Sequence, residues 1–164
     1  ILISDKDTYL NKQEPNEVNG AKTTLMVSDF NDWIYKSIIH FNLSAIPDNI
    51  SLKSARLSFY QSGADAWNDK ISLYKVNEEW SEDSATWANT PNYSNININS
   101  SQITPSGSWI TINITETVKE WLSNGSNYGI LLESIDYTNS DNVCTYINSR
   151  ENSEKKPKLI IEYQ

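Results

Sequence analysis

The sequence has one cysteine, one histidine and no long apolar run. Cys144 has no partner in the chain, so no intrachain disulfide forms and no disulfide scaffold is possible. No apolar stretch approaches the roughly 20 residues that a membrane-spanning helix needs. With His40 and Cys144 as the only residues of their kinds, a zinc site of the usual His/Cys type is not expected. Basic residues are also few, 13 against 21 acidic, for a formal net charge of −8. That argues against nucleic acid as a partner, because phosphate backbones require a basic footprint. An anionic polymer would need a local basic patch or a bridging cation. Also missing are the Gly-rich phosphate cradle, the dinucleotide fingerprint and the G-x-S-x-G nucleophile turn.

What the 164 residues do contain is enough chain for one domain with a real core. Residues 109–134 give the clearest local signals. Trp109, Thr111 and Asn113 alternate with Ile110, Ile112 and Ile114, the period of a half-buried strand. Ile114, Val118, Trp121 and Leu122 then fall on one face of a helix. Thr115 suits the N-cap and Gly125 the C-terminal stop, where a left-handed conformation is needed. Tyr128-Gly129-Ile130-Leu131-Leu132 restarts a strand.

Short strands are expected over 23–27, 35–43, 51–60, 71–76, 143–149 and 158–163. Residues 11–22 read as a polar loop broken by Pro15 and Asn19-Gly20, and 30–33 and 61–70 as further loops. Residues 77–91 read as a long loop or short helical turn, with Glu78, Glu79, Glu82 and Asp83 favouring a helix N-terminus. Residues 92–108, rich in Asn and Ser, read as a low-complexity connection. Nine or ten short strands predict an all-β chain, an antiparallel β-sandwich of jelly-roll type with one short α-helix. The chain opens on Ile1 and reads as a single module over 1–164, cut from a larger secreted or surface protein. Six Asn-X-Ser/Thr triplets would be glycosylation acceptors in a secreted glycoprotein, although so Asn- and Ser-rich a chain also produces such triplets by chance.

An ordered set of phrases resembles a known family. It runs from Asp7-Thr8-Tyr9 through Phe41-Asn42-Leu43-Ser44-Ala45-Ile46-Pro47, Glu79-Trp80-Ser81-Glu82, Thr86-Trp87 and Thr90-Pro91. It continues through Ile114-Thr115, Trp121-Leu122, Asn127-Tyr128-Gly129-Ile130-Leu131-Leu132 and Ser149-Arg150-Glu151 to Pro157-Lys158-Leu159-Ile160. Order and spacing resemble the DNRLRE domains, related to carbohydrate-binding modules of family 96 and to the disaggregatase-related surface proteins of archaea. The resemblance implies a non-catalytic β-sandwich module, extracellular or at the cell surface, with polysaccharide and the neighbouring domains of its parent chain as partners. Three positions depart from it: Val18-Asn19-Gly20 in the first loop, His40, and Asn113 where an Asp usually precedes the helix. No binding residue is carried over from the family.

Candidate contacts come instead from residue chemistry. Sugars present C–H faces that stack on exposed, fixed aromatic rings with polar groups nearby. Trp33 and Trp67 each lie in a polar loop between Asp and Asn neighbours, so Trp33, Tyr35, Trp67, Asp65 and Asn68 are the expected carbohydrate contacts. Trp80, Trp87, Trp109 and Trp121 are expected in the core. Asp5, Asp7, Asp65 and Asp69 are candidate hard-oxygen ligands for a structural calcium ion. Lys36, Arg56 and Lys70 would make an anionic sugar plausible if they shared a face with Trp33 and Trp67. His40 reads as structural, and Cys144 as a small packing residue. The competing reading is a spacer or adhesion domain with no ligand of its own.

Overall fold

The computed structural model describes residues 1–64, 70–102, 106–135 and 144–164. Eleven strands and one helix follow in chain order: β1 (Leu2–Ile3), β2 (Lys6–Asn11), β3 (Thr24–Phe30), β4 (Trp33–His40), β5 (Leu52–Ala64), β6 (Lys70–Val76), β7 (Tyr93–Gln102), β8 (Ser108–Asn113), α1 (Thr115–Asn124), β9 (Ile130–Ile135), β10 (Thr145–Asn148) and β11 (Lys158–Tyr163). All pairings are antiparallel. The path β1-β11-β5-β10-β3-β4-β9-β6-β7 makes one curled sheet, with β8 added to β5 and β2 to β4. The curl folds this sheet into two layers, and β3 belongs to both. Its first half pairs with β10 and its last three residues with β4. The result is the jelly-roll-like sandwich with one short helix that the strand pattern predicts.

The period of two decides which side chains meet between the layers. In the first layer Leu57 stands opposite Ile112 and Leu159, and Phe59 opposite Ile110. In the second, Ile39 stands opposite Ile130 and Leu73 opposite Leu132. All are buried in one core cluster, which α1 closes with Val118 and Trp121. The helix stops at Gly125, left-handed at φ 71°, with its N–H on the Trp121 carbonyl. At the other end the expected Thr115 cap is not the one used, because Thr115 Oγ1 instead accepts the Ala55 N–H at 3.0 Å. The Asn113 carboxamide oxygen takes the Thr115 N–H at 2.9 Å and the Thr115 hydroxyl at 2.8 Å. Asn113 thus performs the acceptor role of the Asp that the resemblance led one to expect.

A second, smaller core lies on the far side of the second layer. Ile38 and Leu131, one residue out of phase with Ile39 and Ile130, pack there with Leu10, Val76, Trp80 and Ala85. Residues 77–92 cover it as a strap. One hydrogen-bonded turn, Ala85 N–H to the Ser81 carbonyl, is the only helical feature of the strap. Trp80 fixes it by donating from Nε1 to the Tyr128 carbonyl at 2.8 Å. Gly129, whose carbonyl accepts the Val76 N–H where the strap begins, has φ 101°, and a Cβ there would collide with the Ile39 carbonyl.

Three expectations change here, the first being that residues 61–64, read as the start of a loop, extend β5 to Ala64. The Asn/Ser-rich segment is not a bare connection, since β7 occupies Tyr93–Gln102 and pairs with β6. Residues 30–33 form the tip of the β3–β4 hairpin, with Trp33 opposite Phe30 as the first residue of β4.

Candidate functional site

The outer face of the first layer carries an aromatic pair, one ring exposed and one half-buried. Tyr60 on β5 and Trp109 on β8 are direct cross-strand partners, so their side chains share a face. Their ring centroids are 5.6 Å apart at 68°, an edge-to-face contact. Trp109 is 37% exposed. Lys158, opposite Ser58 on β11, places Nζ 3.8 Å from the Trp109 ring centroid. Lys155, held at φ 53° in the loop before β11, places Nζ 4.1 Å from the Tyr60 ring centroid. Among the described residues neither ammonium has a carboxylate in ion-pairing reach. Ser58 and Thr111, hydrogen-bonded at 2.9 Å, continue the face, and Arg56 pairs with Glu162 one row further on.

The outer face of the second layer carries the same residue types in another state. Beside the strap lies a groove of about 350 Å³ formed by Lys36, Trp87, Thr90, Pro91, Asn92 and Tyr93. Lys36 Nζ stands 5.5 Å from the Trp87 ring and 5.2 Å from Tyr93, but it is also bonded to the Tyr93 hydroxyl at 2.8 Å and to Glu133 at 2.9 Å. Burial works against this ammonium, yet the hydrogen bonds to Tyr93 and Glu133 outweigh it and hold the lysine above its ordinary range. The charge in this groove is already neutralised.

Where the strap, β2 and the segment after β10 meet, three carboxylates converge. Asp7, Glu82 and Glu151 each place an oxygen within 4.8 Å of the others. Asp7 is fully buried. Its Oδ2 accepts the Arg150 N–H at 2.8 Å and the Ser4 hydroxyl at 3.3 Å. Its own N–H donates to Glu82 Oε1 at 2.8 Å. The Arg150 guanidinium donates to both Glu82 oxygens at 2.9 Å and is ion-paired with Glu151, its Nε 2.9 Å from Oε1. Burial pushes the Asp7 carboxyl up to about 8; the Arg150 N–H opposes this, and Glu151 and Glu82 add to it. Arg150 is held above its ordinary range, chiefly by its hydrogen bonds to Glu82. Such a cluster can coordinate a divalent cation.

Of the expected carbohydrate contacts, Trp33 and Tyr35 fall within the described residues. Trp33 is 52% exposed, as a stacking ring must be. Tyr35, two residues on, is 6% exposed and lies edge-on to Tyr9 at 6.0 Å, so its ring is not offered to solvent. Asp65, Trp67, Asn68 and Asp69 lie outside the described residues. Asp5 is bound to His40 Nδ1 at 2.6 Å and is not part of the converging carboxylates, whereas Asp7 is. Lys36 and Arg56 lie on different layers and do not converge. Trp80 and Trp121 are buried as expected, and Trp87 packs against the second core. Trp109 is the exception, lying outside the core. The signal was its alternation with polar Thr111 and Asn113, which set it on the solvent side of its strand.

The model of carbohydrate-binding module family 96 matches residues 2–163. No curated protein matches the chain. A family match of this kind fits an extracellular or cell-surface setting and a polysaccharide partner. Among the described residues no helix is long and apolar enough to cross a membrane. On these grounds the chain belongs to carbohydrate-binding module family 96, and it is a non-catalytic carbohydrate-binding module.

Proposed function

We propose that the module binds an acidic polysaccharide across the outer face of the first layer. The observation that supports this is the Tyr60–Trp109 pair with Lys155 and Lys158 seated on its rings and, among the described residues, no carboxylate paired to either ammonium. A lysine over a ring is held by about 0.5–1 kcal/mol when exposed. A sugar carboxylate offers the ammonium a stronger partner, a charge-assisted hydrogen bond. The ammonium then swings off the ring, and the ring face is freed for the sugar's C–H face. This also reconciles a net charge of −8 with an anionic ligand, because the local patch of Lys155, Lys156 and Lys158 supplies the basic footprint.

Trp33 supplies a second reading, a contact at the β3–β4 hairpin tip, favoured by its 52% exposure and joined in sequence terms by Trp67, Asp65 and Asn68. In either reading the module attaches a larger extracellular or cell-surface protein to polysaccharide, and a structural calcium ion steadies it without touching the sugar. The test is affinity electrophoresis or calorimetry with a polyuronate and a neutral glucan. Trp109→Ala is expected to weaken polyuronate binding roughly 5–30-fold, about 1–2 kcal/mol. Retention unchanged by Trp109→Ala but lost in Trp33→Ala moves the site to the hairpin tip. No retention on any polysaccharide leaves the spacer reading.

A further inference from the structure

We propose that Asp7, Glu82 and Glu151 form a calcium site that clamps the 77–92 strap to β2 and to the segment after β10. The site specifies the structural calcium of the preceding reading but shares no residue with the sugar-binding face, so either can fail alone.

Two oxygens carry the argument. Among the described residues, Asp7 Oδ1, on a side chain with no exposed surface, has no hydrogen-bond partner, and neither does the buried Glu151 Oε2. A buried carboxylate oxygen without a donor is costly, and native structures rarely leave one bare. Arg150 does not relieve either atom, since its Nε and Nη2 donate to the Glu82 oxygens and its ion pair with Glu151 is to Oε1. Lys6, the basic side chain next along β2, is turned to the Trp80 carbonyl and Glu79. Three carboxylates against one guanidinium leave a formal charge of −2 when all are ionised, which a divalent cation balances.

Distance and donor type narrow the ion. Two ligands on opposite sides of one ion are at most twice the bond length apart. For calcium, at about 2.3–2.6 Å per bond, that limit is roughly 4.6–5.2 Å, and for magnesium, at about 2.0–2.1 Å, roughly 4.0–4.2 Å. Donor atoms lying within 4.8 Å of one another suit calcium as they stand. An all-oxygen donor set also favours a hard cation. Because Arg150 keeps part of the carboxylate charge, the expected affinity is at the weak end, about 10⁻⁴–10⁻³ M, the range of extracellular calcium modules.

The ligands come from three segments far apart in sequence, so the ion would join them as a cross-link. Glu82 is pressed into place from behind by Gly20. A Cβ there would collide with Glu82 Cγ and its carbonyl. The glycine of the first loop therefore allows a close approach; its φ is not in the left-handed range.

The test is thermal unfolding of chelator-stripped protein, titrated with calcium chloride and, separately, magnesium chloride at matched ionic strength. Terbium luminescence excited through tryptophan would report direct binding. Calcium at ten times Kd should shift the folding equilibrium about elevenfold toward the native state. Magnesium should shift it less. Glu151→Gln, which keeps the shape and removes the charge, should abolish the calcium shift, and Asp7→Asn offers a second variant if it fails to fold. Asp65→Asn with Asp69→Asn should leave the shift in place. The proposal is overturned by the absence of a calcium-specific shift and of terbium binding in the unsubstituted protein. It is equally overturned by a shift that Glu151→Gln retains in full.

Discussion

The two outer faces of the sandwich use the same chemistry, lysine beside aromatic rings, to opposite ends. On the second layer Lys36, Trp87 and Tyr93 sit under or beside the strap, and Glu133 neutralises the ammonium. On the first layer Trp109 and Lys155 are exposed, Tyr60 and Lys158 are half-buried, and among the described residues neither ammonium has a carboxylate partner. The difference is whether the groups already have their partners. A cation bonded to a carboxylate and a phenol gains little from a ligand, whereas one resting on a ring gains a stronger partner. A residue's type therefore says less about function than what it already touches.

Substitutions can break this contrast, and the largest effect is expected in the core. Trp121, 2% exposed, should cost about 3–5 kcal/mol when changed to Ala, read by denaturant unfolding. Trp109→Ala should change stability by no more than about 1 kcal/mol while weakening polyuronate binding, which separates the packing tryptophan from the contact tryptophan. Gly20→Ala, which forces Glu82 out of its place against Arg150, should cost about 1–3 kcal/mol. Lys155→Ala with Lys158→Ala should flatten the salt dependence of polyuronate retention, whereas Lys36→Ala should leave it unaltered.

A separate prediction concerns pH. In chelator, the raised carboxyl of Asp7 means that the folded state holds a proton the unfolded state has lost between about 4 and about 8. Stability should then be greatest at the acid end of that window and fall as pH rises to about 8, levelling off beyond it. Asp7→Asn should remove that slope.

Much of the fold is legible in the sequence because alternation and burial coincide. Ile110, Ile112 and Ile114 point inward as their period demands, and Gly125 ends the helix in the conformation only a glycine adopts freely. Strand β7 is not legible, because it is an edge strand with mostly exposed side chains, and its pairing with β6 rests on backbone hydrogen bonds that leave no hydrophobic pattern. The acidic cluster is hidden for another reason. Asp7, Glu82 and Glu151 are far apart in the chain, and only the strap and the sheet curl bring them together. Glu82 reads locally as one of four acids favouring a helix N-terminus, yet it alone turns inward to Arg150, while Glu78 caps the Asn92 N–H at 2.7 Å. Trp109 was legible in part. Its polar alternation partners pointed outward, but the company of family-like phrases pointed to the core.

Calorimetric titration of a polyuronate and a neutral glucan into the unsubstituted protein and the Trp109→Ala variant tests the central claim most directly. The account predicts that the unsubstituted protein prefers the polyuronate, weakening as salt is added, and that Trp109→Ala loses roughly 5–30-fold with its unfolding transition in place. Equal affinity for both polymers, or undiminished affinity in Trp109→Ala, would contradict it.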